Sequence, residues 1–203
     1  LKANPARPIA DRLDQATVLF ADLVGFTTAA HGLPPEEVVA WLDRAVRDWD
    51  DLCAAHGVQK IKTVGDSYMA AAGISGDDAD GAVRMGRFAL AMQAAQGRYP
   101  PLGGRRLALR IGIHCGPATA GIIGRSRMGY DLWGDAVNMA SRMESTGLPG
   151  RIQVCDAYRE ATGGAFLFEP RGEVEVKGIG PVPTFVLVGE AGQASLRTAP
   201  PPG

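Results

Sequence analysis

The hydrophobic residues of the chain recur with two different periods, which predict strands and helices in alternation. Residues 18–24, VLFADLV, are apolar except for Asp22 and are typical of a strand buried on both faces. Over residues 35–55 the apolar positions follow helical spacing, beginning at Pro35 and stopping before Gly57. The chain is therefore expected to open with a strand followed by a helix.

The alternation continues through the rest of the chain. Residues 58–62 and 68–74 predict two strands that meet around Gly65 and form a hairpin. Residues 107–115 alternate between two sets of side chains, which predicts a further strand. The remaining predicted elements are a helix from Asp77 or Asp78 to about Gln96, a Gly-rich hairpin segment to about Leu132, a helix over 135–146, and strands over 152–155, 165–176 and 182–188.

The order strand, helix, hairpin, helix, strand predicts the fold class. It is the βαββαβ order of a ferredoxin-like core, so we expect an α+β domain with an antiparallel sheet, helices on one face and additional C-terminal strands. The other face would be free to meet a partner chain. The expected domain covers residues 16–190, between a loose N-terminal lead-in over 1–15 and a disordered tail over 191–203.

Composition and charge limit the classes of function. Of 203 residues, 46% are hydrophobic, which is ample for one core, and the formal net charge of −1 argues against a nucleic-acid-binding surface held by bulk charge. No apolar stretch approaches the ~20 residues that cross a bilayer and no signal peptide opens the chain, so we expect a cytoplasmic fragment without membrane contact. The first residue is Leu, which suggests an excised piece and leaves room for a membrane-anchored longer parent.

The cysteines indicate a reducing compartment. Cys53, Cys115 and Cys155 are odd in number, widely spaced and free of any CxxC pair, so neither a disulfide framework nor a zinc site is expected. A Walker A sequence is also absent, which argues against a P-loop NTPase.

Two isolated carboxylates are candidates for metal binding. Asp22 ends the apolar strand, where a buried charge is costly without a partner, and Asp66 lies beside Gly65 at the hairpin tip. Each could be only a capping or turn residue. In the expected topology their strands are near neighbours, so the two carboxylates could share divalent metal ions. Gly25 allows a turn whose backbone amides could hold anionic oxygens.

A third candidate group lies on the helix predicted over 135–146. Asn138 and Arg142 are four residues apart and therefore share one helix face. Because Asn is a poor residue in a helix interior, a function is one interpretation and an exposed surface pair is the other.

Taken together, three stretches resemble the catalytic domain of the class III nucleotidyl cyclases. They are FADLVGFT around Asp22, KTVGDSYM around Asp66 and YDLWGDAVNMASRME around Asn138, in the order and at spacings compatible with that family. The resemblance covers roughly residues 17–190 and is specific through the combination of the three stretches. It identifies the domain over 16–190 as a cyclase catalytic domain.

The resemblance implies an adenylyl cyclase that converts ATP to 3′,5′-cyclic AMP and pyrophosphate. It implies two divalent metal ions, Mg or Mn, held by Asp22 and Asp66 with the backbone carbonyl of Leu23. It also implies a head-to-tail homodimer with two sites shared across the interface. The other residues matched by the resemblance are Gly25, Phe26 and Thr27 around the triphosphate, Lys62 and Asp131 on the adenine edge, Asn138 and Arg142 on the transition state, and Arg110 and Lys177 on the phosphates.

Three alternatives are weighed against this reading of the chain. A guanylyl cyclase is disfavoured because Lys62 and Asp131 complement adenine and oppose guanine. A catalytically silent cyclase-like module for dimerisation or nucleotide sensing would not need Asn138 and Arg142. A polymerase-palm or diguanylate-cyclase relative would share the topology but not the YDLWGDAVN stretch.

The sequence does not identify the general base that would remove the proton from the ribose 3′ hydroxyl. The histidines His31, His56 and His114 lie outside the three stretches and are interpreted as structural or exposed. The candidates are therefore a metal-bound hydroxide, Asp22 or the substrate itself.

Overall fold

The computed structural model describes residues 10–75, 79–123 and 129–192. No helix over these residues is long and apolar enough to cross a membrane. The strands are β1 (Ala10–Val24), β2 (Gln59–Val64), β3 (Ser67–Ala72), β4 (Ala108–Ile123), β5 (Gly129–Trp133), β6 (Ile152–Cys155), β7 (Phe166–Val176) and β8 (Gly180–Glu190). The helices are α1 (Phe26–Ala30), α2 (Pro35–Ala55), α3 (Gly81–Ala95), α4 (Asp135–Ser145) and α5 (Asp156–Ala161).

The sheet confirms the predicted α+β fold. Its strands lie in the order β2-β3-β1-β4-β6-β8-β7, with β5 paired to β4. The neighbouring strands are antiparallel, apart from the parallel pair β4 and β6. The elements β1, α2, β2, β3, α3 and β4 form the predicted βαββαβ core, and β6, β7 and β8 supply the predicted C-terminal strands.

β1 is longer than the sequence pattern indicates. It begins at Ala10, inside the expected lead-in, because residues 10–13 pair with residues 118–121 of β4. Residues 10–15 of this strand are mostly exposed. Backbone pairing rather than an apolar pattern holds them in place, so hydrophobic periodicity does not reveal them.

α3 begins later than expected. It starts at Gly81, with Asp80 at the N-cap position, and the Asp80 side chain makes no capping hydrogen bond. The expected caps Asp77 and Asp78 lie outside the described residues, as does the tail from residue 193 onwards.

Helices pack on both faces of the sheet, because neighbouring strand residues point in opposite directions. On the first face, α2 and α3 cover the main core, which includes Leu19 and Trp49. On the second face, α4 packs Ala136 and Ala140 into a separate cluster with Val18. The prediction of helices on one face holds for the two helices of the βαββαβ unit. α4 lies on the opposite face and covers part of the surface that was expected to be free.

α4 approaches the sheet very closely at Gly112 of β4. A Cβ atom at this glycine would stand 1.9 Å from the backbone nitrogen of Glu144 and 2.5 Å from its Cα. Because both are backbone atoms, only a movement of the helix or the strand would make room. The absence of a side chain at Gly112 therefore sets the distance between α4 and β4.

We expect Gly112→Ala to lower the free energy of unfolding by about 1–3 kcal/mol, because overpacking pushes α4 away from β4. Urea unfolding of the purified variant measures this change. Gly189→Ala on β8 is the matched control, since nothing lies within 4 Å of a Cβ atom there. Equal stability of the two variants would contradict the close packing of α4.

Candidate active site

Asp22 lies near the end of β1, and two neighbours hold its carboxylate. The hydroxyl of Ser67 donates to Oδ1 at 2.8 Å. Arg110 is the register partner of Asp22 on β4, and its Nη2 lies 3.3 Å from Oδ2. Only 22% of the Asp22 side chain is exposed. Its charge is therefore balanced mainly by these donors rather than by bulk water.

Asp66 lies in the turn between β2 and β3, directly after Gly65, which has a positive φ of 62°. Burial raises the pKa of the Asp66 carboxyl, and the negative charge of Asp22 also raises it. Asp66 precedes Ser67, whose hydroxyl bonds to Asp22, and the ends of β1 and β3 are paired at this point. The structure thus brings together the two acids that the sequence singled out.

The two carboxylates suit divalent metal ions. Carboxylate oxygens are hard ligands, and a cation between them would offset both the burial of Asp66 and its repulsion by Asp22, which together raise the pKa of Asp66. No group of three or more His, Cys, Asp or Glu among the described residues could hold a metal ion, so a metal ion between Asp22 and Asp66 would need further ligands from backbone, water or substrate oxygens. The side chain of Leu23 is buried in the main core, which leaves its backbone carbonyl as the group that could contribute.

The turn after β1 contains the residues predicted to surround a triphosphate. Gly25 has a positive φ of 81° and precedes the short helix α1, which begins with Phe26 and Thr27. The first amides of a helix have no intrahelical acceptors and can donate to anionic oxygens. The ring centroid of Phe26 lies 6.5 Å from that of Trp41, so the Phe26 side chain packs against the main core and the backbone is the part of this residue that could bind phosphate.

Lys62 and Asp131 are in direct contact. The Nζ of Lys62 on β2 lies 2.5 Å from Oδ2 of Asp131 on β5. The other oxygen, Oδ1, accepts a hydrogen bond from the backbone N–H of Leu132 at 2.9 Å. The two side chains are 41% and 22% exposed. A donor and an acceptor therefore stand side by side where a ligand can reach them.

Asn138, Arg142 and Lys177 line one cavity of about 500 Å³. The first two share a face of α4, as their spacing predicts, and Lys177 comes from the turn between β7 and β8. Neither Asp22 nor Asp66 is among the described residues that line this cavity. Within one chain, the predicted catalytic pair and the predicted metal ligands therefore belong to two separate groups.

His114 also lines this cavity. Its Nδ1 lies 2.8 Å from Sγ of Cys155. Burial lowers the pKa of the His114 ring, which favours the neutral imidazole at neutral pH. The contact with Cys155 agrees with the structural interpretation of His114, whereas its place on the cavity wall was not predicted.

Glu144 and Ser67 also contact the candidate site residues, although neither was predicted from the sequence. Glu144 is only 9% exposed and accepts a hydrogen bond from Nε of Arg110 at 2.6 Å. Burial raises the pKa of the Glu144 carboxyl, and the bond to Arg110 opposes that shift. A signal was present in the sequence. Glu144 follows Ala136 and Ala140 at four-residue spacing, which places an acid on the apolar face of the helix.

The sequence matches a known protein family over most of its length. The sequence profile of the adenylate and guanylate cyclase catalytic domain matches residues 9–189. The chain belongs to this family. The match confirms the class III cyclase resemblance that rested on the three stretches.

Relatives of this cyclase domain include both substrate classes. An adenylate cyclase of Mycobacterium tuberculosis is 42% identical over an alignment of 204 positions, which covers 99% of this chain and 46% of that protein. The guanylate cyclase soluble subunit beta-2 of Rattus norvegicus is 38% identical over an alignment of 181 positions, which covers 88% of this chain and 26% of that protein. The chain spans less than half the length of either relative.

Solved cyclase structures share the fold. The guanylate cyclase domain of RhGC from Catenaria anguillulae, in complex with GTP, is 32% identical with a TM-score of 0.84. The match covers 89% of this chain and 99% of that domain. The α+β architecture is therefore that of a cyclase catalytic domain.

In metal-free buffer at neutral pH we expect Asp66→Asn to raise the free energy of unfolding. The pKa of Asp66 is raised in the folded state. The wild-type protein therefore loses stability as the pH rises from the ordinary carboxyl value through this raised pKa. The Asn side chain binds no proton, so the variant lacks that loss. Urea unfolding with a chelator, at about pH 4 and about pH 7, measures the difference.

With added Mn²⁺, the wild-type protein should become more stable than Asp66→Asn, because a metal ion that binds the folded wild-type site stabilises it. The matched control is Asp51→Asn, which removes an exposed acid on α2. This variant should have the stability of the wild type in metal-free buffer and should gain as much stability from Mn²⁺. A wild-type protein that gains no stability from Mn²⁺, or an Asp66→Asn variant that gains as much, would contradict a metal site at Asp66.

Proposed function

We propose that this domain is an adenylyl cyclase that converts ATP to 3′,5′-cyclic AMP and pyrophosphate in the cytoplasm. The proposal rests on one observation above the others, the contact between Lys62 and Asp131. Lys62 can donate to N1 of adenine, and Asp131 can accept from the exocyclic amino group. Guanine carries N–H and a carbonyl oxygen at these positions, so it would leave both side chains without suitable partners.

The metal half of the site is formed by Asp22 and Asp66. These residues would hold two divalent ions, Mg or Mn, with the carbonyl of Leu23. When bound, such ions supply Lewis acidity at the ribose 3′ oxygen and at the leaving pyrophosphate. Ser67 and Arg110 keep the Asp22 carboxylate in place.

The remaining residues act on the substrate directly. Arg142 donates to the α-phosphoryl oxygens as charge builds up there, a task suited to a permanently charged planar guanidinium. Asn138 orients the ribose for attack. Arg110 and Lys177 bind the phosphates, and the amides of the turn at Gly25 donate to the triphosphate.

The separation of these residues supports a homodimer with shared sites. The cavity of Asn138, Arg142 and Lys177 is not lined by Asp22 or Asp66 among the described residues, and a second copy of the chain could supply the missing half of each site. Ile123 on β4 is 61% exposed and Trp133 on β5 is 36% exposed. Apolar surface of this kind is suited to contact with a second chain.

A guanylyl cyclase is the second candidate, because the relatives include guanylate cyclases and the RhGC domain is in complex with GTP. The two candidates differ at the base-reading pair. The assignment of adenine therefore depends on Lys62 and Asp131, and it is tested through them.

We expect purified protein with Mn²⁺ to form cyclic AMP from ATP with a kcat/KM about 10-fold or more above that for cyclic GMP from GTP. The reason is that one unpaired buried polar group costs about 1–3 kcal/mol. Lys62→Glu combined with Asp131→Ala should raise the GTP-to-ATP ratio of kcat/KM, since Glu accepts from guanine N1–H. A ratio that stays unchanged would refute the base-reading assignment.

Subunit mixing tests the shared sites. Lys62→Ala and Asp66→Ala proteins should each be nearly inactive alone, because every site then lacks one group. Each proposed site takes Asp66 from one chain and Lys62 from the other. In a mixed dimer, one site therefore contains both substitutions and the other contains neither. With random exchange about half of the dimers are mixed, so activity should recover to roughly a quarter of wild type.

The control mixture combines Asp22→Ala with Asp66→Ala. Each site takes both Asp22 and Asp66 from the same chain. Every site of a mixed dimer therefore lacks one of the two acids, and this mixture should stay inactive. A tagged pull-down verifies that the subunits exchange. If exchange occurs and the mixture of Lys62→Ala with Asp66→Ala does not recover, the sharing of sites between chains is wrong.

A further inference from the structure

β2 contains a bulge between two lysines. Lys60 is opposite Ala70 of β3, whereas Lys62 is opposite Met69, so two steps along β2 match one step along β3. The extra residue is Ile61, which packs against the cluster on the second face of the sheet. In a regular strand, residues two apart point to the same face. The bulge breaks that rule at these two lysines.

The two lysines consequently point to opposite faces. Lys62, with Met69, faces the second side of the sheet and meets Asp131 of β5. Lys60, with Ala70, faces the first side, where its Nζ lies 2.8 Å from Oδ2 of Asp50 on α2. Each lysine thus has a carboxylate partner of its own.

Asp50, Lys60 and Tyr68 form one group of interacting side chains. The hydroxyl of Tyr68 donates to Oδ1 of Asp50 at 2.8 Å. The Nζ of Lys60 also lies 5.4 Å from the centre of the Tyr68 ring, a cation–π distance. Burial raises the pKa of Tyr68, so the hydroxyl keeps its proton and remains a donor. Lys60 is therefore held on the first face by one acid and one aromatic ring.

The strand itself specifies this register weakly. β2 is the edge strand of the sheet and pairs only with β3 in the strand order. Its residues are exposed or half-buried throughout. The tight turn at Gly65 fixes the pairing of the residues next to it. Beyond the bulge, the contacts of Ile61 and of the two lysines help to specify the pairing.

Relaxing the bulge would change which lysine lies beside Asp131. If Lys62 keeps its place opposite Met69 and the pairing becomes regular, Ile61 moves opposite Ala70. Lys60 then moves opposite Ala71, which belongs to the second face. Both lysines would point to the side of Asp131, and they would compete for one carboxylate.

We propose that Asp50 is a positioning residue that retains Lys60 on the first face of the sheet, so that Lys62 alone pairs with Asp131. The effect on base choice rests on the proposed function, in which Lys62 and Asp131 read adenine. The effect on pairing does not depend on it. Asp50 acts through Lys60 and touches no substrate.

A zero-length carbodiimide cross-link tests the pairing without any activity. The reagent activates a carboxylate, the lysine amine attacks it, and an amide forms as the urea leaves. In the wild-type protein, mass spectrometry should find the links Lys62–Asp131 and Lys60–Asp50. In Asp50→Asn, the Lys62–Asp131 link should fall several-fold and a Lys60–Asp131 link should appear. The Asn oxygen can still accept from Tyr68, so this variant removes mainly the charge.

A rescue variant separates positioning from general damage. Asp50→Asn combined with Lys60→Met keeps an apolar side chain on the Tyr68 ring and removes the competing amine. It should restore the Lys62–Asp131 link to the wild-type yield. The matched control is Asp43→Asn, which removes the exposed pair of Asp43 with Arg47 at 2.7 Å on the same helix and should leave both links unchanged.

The ATP-to-GTP ratio of kcat/KM gives a second readout. It should fall several-fold in Asp50→Asn and return in the variant that also carries Lys60→Met. An unchanged Lys62–Asp131 link in Asp50→Asn overturns the proposal, and so does a lost link that Lys60→Met fails to restore. A protein that shows the expected links but makes no cyclic nucleotide would refute the proposed function and leave the role of Asp50 in the pairing intact.

Discussion

The guanidinium of Arg110 between two carboxylates is the interaction on which the active face of the sheet depends. Arg110 bonds to Glu144 at 2.6 Å and to Asp22 at 3.3 Å, so a single cation joins β1, β4 and α4. Both acids are largely removed from water, and without this cation their charges would be buried and unbalanced. α4 can come near enough for this contact because Gly112 leaves its backbone room.

The two faces of the sheet differ in their packing and in what they carry. The first face is packed with large side chains such as Trp49, Tyr68 and Phe88, which supply most of the buried apolar surface. The second face is built mainly from alanines around Val18 and Met69. Small side chains bury less area but allow close approach of backbone and polar groups. The candidate active-site residues lie around this thinner packing.

Local patterns predicted the parts of the protein that depend on neighbouring residues. Periodicity is a local property, so the order of strands and helices and the shared face of Asn138 and Arg142 followed from it. The bulge at Ile61, the bond from Arg110 to Glu144 and the face chosen by α4 arise from contacts between distant segments. The pairing of Lys62 with Asp131 came from the family resemblance, since 69 positions separate them.

One feature of α4 bears on how such a domain can be regulated. Glu144, in its last turn, is joined to Asp22 through Arg110, while Asn138 and Arg142 line the cavity that also contains Lys177. In a dimer of the proposed kind, one short helix would contact two reaction centres. α4 packs too closely on β4 to move far within a protomer. A signal would therefore act most readily by rotating one copy against the other, and both centres would respond together.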